Sequence, residues 1–102
     1  MAQFDVFQNP RGGAYPLLLD VQSEVLARLG TRVVVPMTAR KKHGPTPITR
    51  LNPVLPVDGV DYVLVVQELA AIPSTALGKR VGSLASARRD IVAALDLLIT
   101  GI

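Results

Sequence analysis

Short apolar runs separated by turn residues fill the chain up to Leu84, and this pattern predicts a series of short strands. QFDVFQ predicts the first strand, and LLLDVQS and RVVVP predict the next two. Pro36 marks an edge or a bulge of the third strand, because proline has no N–H to donate to a ladder. SEVLARLG predicts a short helical or irregular loop that Gly30 ends, with Val25 and Leu26 on it.

Asp58 and Gly59 give the sharpest local signal. They separate LNPVLPV from VDYVLVVQ, and an Asp-Gly pair between apolar runs predicts a hairpin with a two-residue turn. The second arm carries apolar residues on both faces, which predicts that both are at least partly buried. ELAAIPSTALGKRVGSL, broken by one proline and two glycines, predicts further short strands at a barrel corner.

The hydrophobic period changes after Leu84. A helical stripe follows, spaced at i, i+4 and i+7 and then widened, made of Ile91, Val92, Leu95, Leu98 and Ile99. Ser83 or Ser86 is the candidate cap of this helix. The predicted fold is therefore mainly β with one C-terminal helix, a strongly bent antiparallel barrel or sheet with the helix packed across it.

Composition fits one domain over residues 1–102. Hydrophobic residues make up 49% and charged residues 19%, and a shared interface would explain the excess of apolar residues. There is no cysteine, which excludes disulfides, thiolate zinc sites and a cysteine nucleophile. The start of the chain lacks the pattern of a signal peptide and no apolar run is long enough for a membrane span, so we expect a cytoplasmic protein without membrane contact.

The chain is mildly basic, with a formal charge of +3. Only four aromatic residues are present, so the pattern does not favour sequence-specific nucleic acid binding. The positive charge fits binding to an acidic protein better than binding to nucleic acid, because opposite charges speed the association of two proteins. The run Arg40, Lys41, Lys42 and His43 either binds such a partner or forms a solvated loop.

Candidate catalytic chemistry is sparse. His43 is the only histidine and has no carboxylate at ligand spacing, so we expect no metal site and no cofactor. Ser23 and Ser74 lack the glycine-flanked elbow of a hydrolase nucleophile. Arg32 with Asp20, or Arg40 with Glu68, could serve acid–base cleavage of RNA, although such pairs are more often salt bridges. We expect a protein that is not an enzyme, with no catalytic residues.

QFDVF, DVQS, the R-VV-P strand, the A-IP segment and the terminal Gly-Ile together resemble the CcdB toxins of bacterial toxin–antitoxin modules, over essentially the whole chain. The resemblance implies a homodimer of an SH3-like barrel of the CcdB/MazF type, with the helix ends side by side at the dimer axis. It also implies a toxin that wedges between the A subunits of DNA gyrase, traps the cleaved-DNA complex and is neutralised by a CcdA-like antitoxin.

The implied gyrase-binding residues are Val25, Leu26, Asp96, Ile99, Thr100, Gly101 and Ile102. The basic residues Arg11, Arg40, Lys41 and Lys42 are the candidates for binding the antitoxin. The family pattern ends in aromatic-Trp-Gly-Ile and has asparagine at position 96, so Ile99, Thr100 and Asp96 depart from it. Loss of the tryptophan anchor corresponds to about 2–4 kcal/mol of binding energy.

Three explanations of the departures stay open: a weak or inactive homologue, a gyrase of matching altered sequence, or another target. Two further functions also remain as alternatives. One is a non-toxic module that binds antitoxin, and the other is a ribonuclease, since a related toxin family of similar fold cuts RNA. For Ile99 and Ile102, an interface and simple core packing are both possible.

Overall fold

The computed structural model describes residues 2–102, which form seven strands, several short 3-10 turns and one α-helix. The elements are β1 (Asp5–Gln8), β2 (Leu17–Asp20), β3 (Thr31–Ala39), β4 (Val54–Val57), β5 (Val60–Leu64), β6 (Ala70–Pro73), β7 (Arg80–Ser83) and α1 (Arg88–Thr100). The predicted order of short strands followed by one C-terminal helix is confirmed.

All strand pairs are antiparallel, in the order β4-β5-β3-β2-β1-β7, with β6 added to the other part of β3. β3 is the axis of this curled sheet. Its residues 31–34 pair with β6 and its residues 37–39 pair with β5. The fold is thus the mainly β barrel type with a C-terminal helix that the sequence predicted.

Pro36 lies inside β3, at the point where the strand changes partners. The carbonyl of Pro36 accepts a hydrogen bond from the N–H of Val65 at 2.9 Å. Because the nitrogen and the carbonyl of a strand residue point to the same side, the nitrogen of Pro36 also faces that side. This position lies between residues 31–34, which pair with β6, and residues 37–39, which pair with β5. The missing N–H therefore falls where no ladder bond is required. The strand continues to Ala39, three residues further than predicted.

The predicted hairpin is confirmed, with Val57 paired to Val60 across the turn. Asp58 and Gly59 have φ angles of 51° and 78°, the two left-handed residues of a type I′ turn. Burial of both faces begins at Val63, whereas Val60 is 43% exposed beside the turn.

The helix closes the open face of the sheet. Ile91 and Ala94 are fully buried, and Val92, Leu95 and Leu98 are half-buried against the same core. The core also includes Phe4, Val6, Leu17, Leu19, Val35, Met37, Leu64, Val66 and Leu84. Most of the predicted stripe is therefore core, and Ile99 is the exception, with 72% of its surface exposed.

The predicted serine cap of the helix is wrong. Ala87 occupies the cap position and no side chain caps α1, while Ser83 accepts a hydrogen bond from the N–H of Ala85 in the preceding 3-10 turn. The guanidinium of Arg88 lies 5.6 Å from the ring centroid of Phe4, and this cation–π contact anchors the first turn. Within residues 2–102, no helix has the length and apolar character to span a membrane.

Candidate functional site

The loop between β2 and β3, residues 23–30, displays the first part of the predicted target-binding surface; we name it the display loop. All its residues are exposed. Ser23 accepts the N–H of Val25 at 3.2 Å and begins the turn Glu24–Leu26. Val25 is 91% exposed and Leu26 is 48% exposed. Leu29, which the sequence did not indicate, is 52% exposed on the same loop.

Gln22 lies buried at the base of this loop, where its backbone N–H and both polar ends of its side chain are hydrogen-bonded. Its Nε2 donates to the carbonyl of Leu26 at 3.0 Å, and its Oε1 accepts the N–H of Val33 in β3 at 3.1 Å. Its backbone N–H donates to Asp20 Oδ1 at 3.0 Å. Gln22 therefore joins the display loop to the sheet.

Asp20 and Arg32 form an ion pair whose side chains are completely buried. The Nε and Nη2 atoms of Arg32 both donate to Asp20 Oδ2, at 3.0 and 2.5 Å. Arg32 Nη1 has no hydrogen-bond partner within residues 2–102. Because both side chains are buried, they cannot contact an RNA substrate, and the pair is a structural salt bridge. This is the role that the sequence indicated as the more common one for such pairs.

The end of α1 carries the second part of the predicted surface, residues 99–102, which we name the helix tip. Ile99 and Ile102 are 72% and 79% exposed, so neither packs in the core of this chain. Gly101 ends the helix with φ 80°, and its N–H donates to the carbonyls of Asp96 and Leu97. A left-handed glycine at this position thus sets the direction of Ile102.

The polar side chains around the helix tip differ in whether they have a partner within residues 2–102. The hydroxyl of Thr100 donates to the carbonyl of Asp96 at 2.7 Å, so it is engaged within the helix. The exposed carboxylate of Asp96 makes no hydrogen bond or ion pair inside residues 2–102. Arg50, itself at φ 70°, donates from Nη2 to the carbonyl of Ile102 at 3.0 Å and holds the tip from the side.

The display loop and the helix tip lie at opposite ends of α1 in one chain. Gln3 connects the loop to the first turn of the helix, because its N–H donates to Glu24 Oε1 at 3.2 Å and its Oε1 accepts from Arg88 Nη1 at 3.1 Å. The helix has 13 residues and a length of about 20 Å. A single chain therefore does not bring the two parts of the predicted surface together.

The basic residues predicted for the antitoxin lie around the β1–β2 loop, residues 9–16. Arg40, Lys41 and Lys42 form an exposed 3-10 turn directly after β3. Lys42 lines a groove together with Tyr62, opposite Gly13 of the loop. Arg11 is exposed on the same loop and lines a neighbouring groove. Of the four predicted cations, Arg11 and Lys42 therefore line separate grooves, whereas Arg40 and Lys41 are exposed and line neither of them.

Asp5, at the start of β1, has a carboxyl group whose pKa is lowered by its hydrogen-bond partners. Burial alone raises the pKa of this carboxyl, but Arg80 Nε at 3.1 Å and the N–H of Ala2 at 2.9 Å outweigh burial, so the pKa lies below its usual value. Because Asp5 is on β1 and Arg80 on β7, the pair stabilises the pairing of these strands.

No group of three or more metal-ligating side chains occurs in the part of the chain from residue 2 onward. His43 is half-buried at the end of the basic turn, and no ion pair joins Arg40 to Glu68 in the same described part. Neither arginine–carboxylate pair considered from the sequence therefore places an accessible base beside a cation.

Solved structures of similar fold include proteins described as endoribonucleases and as toxins. An endoribonuclease in complex with its cognate antitoxin, from a mycobacterial species, has a TM-score of 0.77 and 16% identity over 97% of this chain and 94% of that one. The MazE–MazF structure from Deinococcus radiodurans has a TM-score of 0.68 and 18% identity over 97% and 93%. At these identities the likeness shows the fold alone.

The CcdB protein family model matches residues 3–101 of this sequence, and the chain belongs to the CcdB family. Membership confirms the resemblance drawn from the sequence and supports a toxin of the type II toxin–antitoxin class. Sequence reasoning missed Leu29, Gln3, Gln22 and Arg50. The polar Gln22 inside the motif DVQS was the one visible signal among them.

Proposed function

We propose that this protein is the toxin of a type II toxin–antitoxin module, and that it acts in the cytoplasm as a homodimer that binds the A subunits of DNA gyrase. It inhibits without catalysis: its binding energy stabilises the cleaved-DNA complex of gyrase relative to the resealed one. A CcdA-like antitoxin neutralises it. Neither a metal nor a cofactor takes part.

The placement of exposed apolar side chains carries this proposal. Within residues 2–102, eight large hydrophobic side chains are exposed, and five of them lie in the display loop or the helix tip: Val25, Leu26, Leu29, Ile99 and Ile102. Four of these five are positions that the family resemblance assigns to gyrase. Exposed apolar clusters of this kind are typical of protein interaction sites.

A two-fold dimer doubles each apolar area and brings the two helix tips together. Because the display loop and the helix tip lie at opposite ends of α1, one chain offers two small apolar areas rather than one continuous area. In a symmetric dimer each area occurs twice, and apposition of the helix ends places both copies of Ile99 and Ile102 at the axis. The proposed dimer therefore presents a doubled helix-tip area to gyrase, together with two display loops.

Thr100 and Asp96 make the proposed gyrase-binding surface different from that of relatives with the family pattern. Thr100 offers no aromatic ring, and its hydroxyl is already bonded to the helix. Asp96 instead offers a free carboxylate, which suits a cationic side chain on the target. An exposed pair of this kind contributes only about 0–1 kcal/mol, less than a tryptophan anchor. We therefore expect binding that is weaker and more sensitive to salt than in relatives with the tryptophan.

The antitoxin is proposed to bind at the basic turn and the β1–β2 loop. Arg11, Arg40, Lys41 and Lys42 are exposed there, which suits an acidic, disordered segment that folds as it binds. Because Lys42 and Tyr62 share a groove, the peptide meets both a cation and an aromatic ring.

The test is a cleavage assay with the cognate gyrase and plasmid DNA. We expect linear DNA to accumulate after denaturation and protease treatment, in proportion to the concentration of the dimer. No accumulation at a large excess of folded protein contradicts the gyrase proposal. Normal growth of induced cells, together with tight binding of the antitoxin, would instead identify a non-toxic module that binds antitoxin.

A ribonuclease is the second candidate, because two of the structures with similar fold are described as endoribonucleases. RNA cleavage needs a general base and a cationic stabiliser in one accessible cleft. The Asp20–Arg32 pair is sealed in the core, which weighs against it as that centre. Incubation of the purified protein with RNA decides: specific fragments support the ribonuclease, and intact RNA removes it.

A further inference from the structure

We propose that Gln22 is a positioning residue that holds the display loop in the shape in which Val25 and Leu26 meet the target. This inference rests on the proposed binding role of the loop. Gln22 is only 7% exposed and does not itself face the target. It acts through the carbonyl of Leu26, to which its amide is bonded.

The display loop has little packing of its own, since all eight of its residues are exposed. Within residues 2–102, three hydrogen bonds connect it to the rest of the molecule. Glu24 accepts from Gln3 at the surface, Gly30 accepts from the N–H of Ser74 at the far end, and Leu26 accepts from Gln22. The bond from Gln22 is the one that reaches the centre of the loop from a buried donor.

The other end of the Gln22 side chain is fixed to the sheet. Its Oε1 accepts the N–H of Val33 in β3, which leaves the amide one orientation and directs its Nε2 to Leu26. A buried amide with both ends bonded has a single well-defined rotamer, whereas a methionine of similar size satisfies neither bond.

The buried ion pair completes this support. Asp20 accepts the backbone N–H of Gln22 with Oδ1 and is held by Arg32 through Oδ2. Buried ion pairs contribute little net stability, and Arg32 Nη1 here lacks a partner within residues 2–102, which adds a cost. We therefore assign the Asp20–Arg32 pair to fixing the position of Gln22 behind the display loop rather than to adding stability.

Tryptic cleavage after Arg28, in the display loop, measures the order of the loop without any target. The variants are Gln22→Met, which removes both side-chain bonds, and Gln22→Glu, which keeps an acceptor for Val33 and removes the donor to Leu26. The control is Gln67→Met, which removes the hydrogen bond that Asn52 Nδ2 donates to Gln67 Oε1, outside the display loop.

Loss of one buried hydrogen bond corresponds to about a tenfold change in a local equilibrium. We expect both Gln22 variants to be cleaved after Arg28 about tenfold faster than wild type. Cleavage at the exposed basic turn, Arg40 to Lys42, should stay unchanged in the same molecules and serves as the reference for changes outside the display loop. The Gln67 variant should show no change at either site.

Gyrase affinity, measured in two backgrounds, distinguishes positioning of Val25 and Leu26 by Gln22 from a purely structural role of Gln22. Gln22→Met should weaken gyrase binding about tenfold in the wild-type background. In a background that already carries Val25→Ala and Leu26→Ala, the same substitution should change binding by less than about twofold, because the residues it positions are gone.

Unchanged cleavage after Arg28, or equal acceleration at Arg28 and at the basic turn in both Gln22 variants, overturns the inference. An equal loss of affinity in both backgrounds overturns it too. Failure of the wild-type protein to bind gyrase refutes the proposed function instead, and the cleavage at Arg28 still decides whether Gln22 orders the loop.

Discussion

Truncation of Val25 should separate target binding from folding. The side chain is 91% exposed, so Val25→Ala removes almost no buried surface, and we expect the free energy of unfolding to change by less than about 0.5 kcal/mol. If the docked complex buries this side chain, the lost carbon atoms cost about 0.8 kcal/mol each. Two carbons give about 1.6 kcal/mol, or about a 15-fold loss of affinity for each loop that docks.

The assay is the concentration of protein that gives half-maximal cleaved DNA with gyrase, alongside urea unfolding of the same preparations. Val60→Ala is the matched control, because Val60 is also an exposed valine, 43% accessible, but lies beside the β4–β5 turn and outside both parts of the proposed surface. A Val25 variant that matches wild type in cleaved DNA, while the control behaves equally, would refute the assignment of the display loop to the target.

Three further outcomes follow from single positions. Thr100→Trp should raise affinity for gyrase about 30-fold or more, and unchanged potency in the same cleavage assay would favour another target. Arg80→Ala should destabilise the fold by about 0.5–1 kcal/mol at pH 7, since Arg80 is 55% exposed. The pKa of Asp5 is lowered in the folded state, so its stabilisation is fully present above about pH 4 and is lost as the pH falls through that lowered pKa; the urea unfolding curves of wild type and variant should therefore converge on acidification. Gly78→Ala should cost about 1–3 kcal/mol, because the added Cβ lies 2.6 Å from a backbone oxygen of β1, while Gly82→Ala, with open space around it, serves as the control in thermal unfolding.

The hairpin and the helix were predictable because each has a local cause. Asp58 and Gly59 adopt left-handed conformations that few residue pairs accept, so these two residues alone predict the turn. The helical stripe reflects a period that needs no knowledge of the partner. The period alone did not decide Ile99, for which the sequence left core packing and an interface open, and its side chain is 72% exposed.

The supports of the proposed site were less predictable, because they depend on long-range contacts. Arg50 is 52 residues from the carbonyl of Ile102 that it binds, and Gln3 is 85 residues from Arg88. Nothing in the local sequence indicates such bonds. The spacing of Asp20 and Arg32 suggested a pair, but only the three-dimensional fold shows that it is buried and therefore supports the loop rather than a substrate.

The energetics of the exposed side chains give a physical reason for the proposed dimerisation before target binding. Val25, Leu26, Ile99 and Ile102 each contribute about 1.5–3 kcal/mol when fully buried, or about 6–12 kcal/mol for one chain. Association of two bodies costs about 4–15 kcal/mol in lost freedom of motion, so one chain retains little net affinity. A preformed dimer doubles the apolar contribution and incurs the cost of association with gyrase once. In the absence of the tryptophan anchor this doubling matters more, because the remaining aliphatic contacts must supply the affinity. Toxicity should therefore follow the concentration of dimer, rising with the square of the chain concentration wherever the monomer predominates.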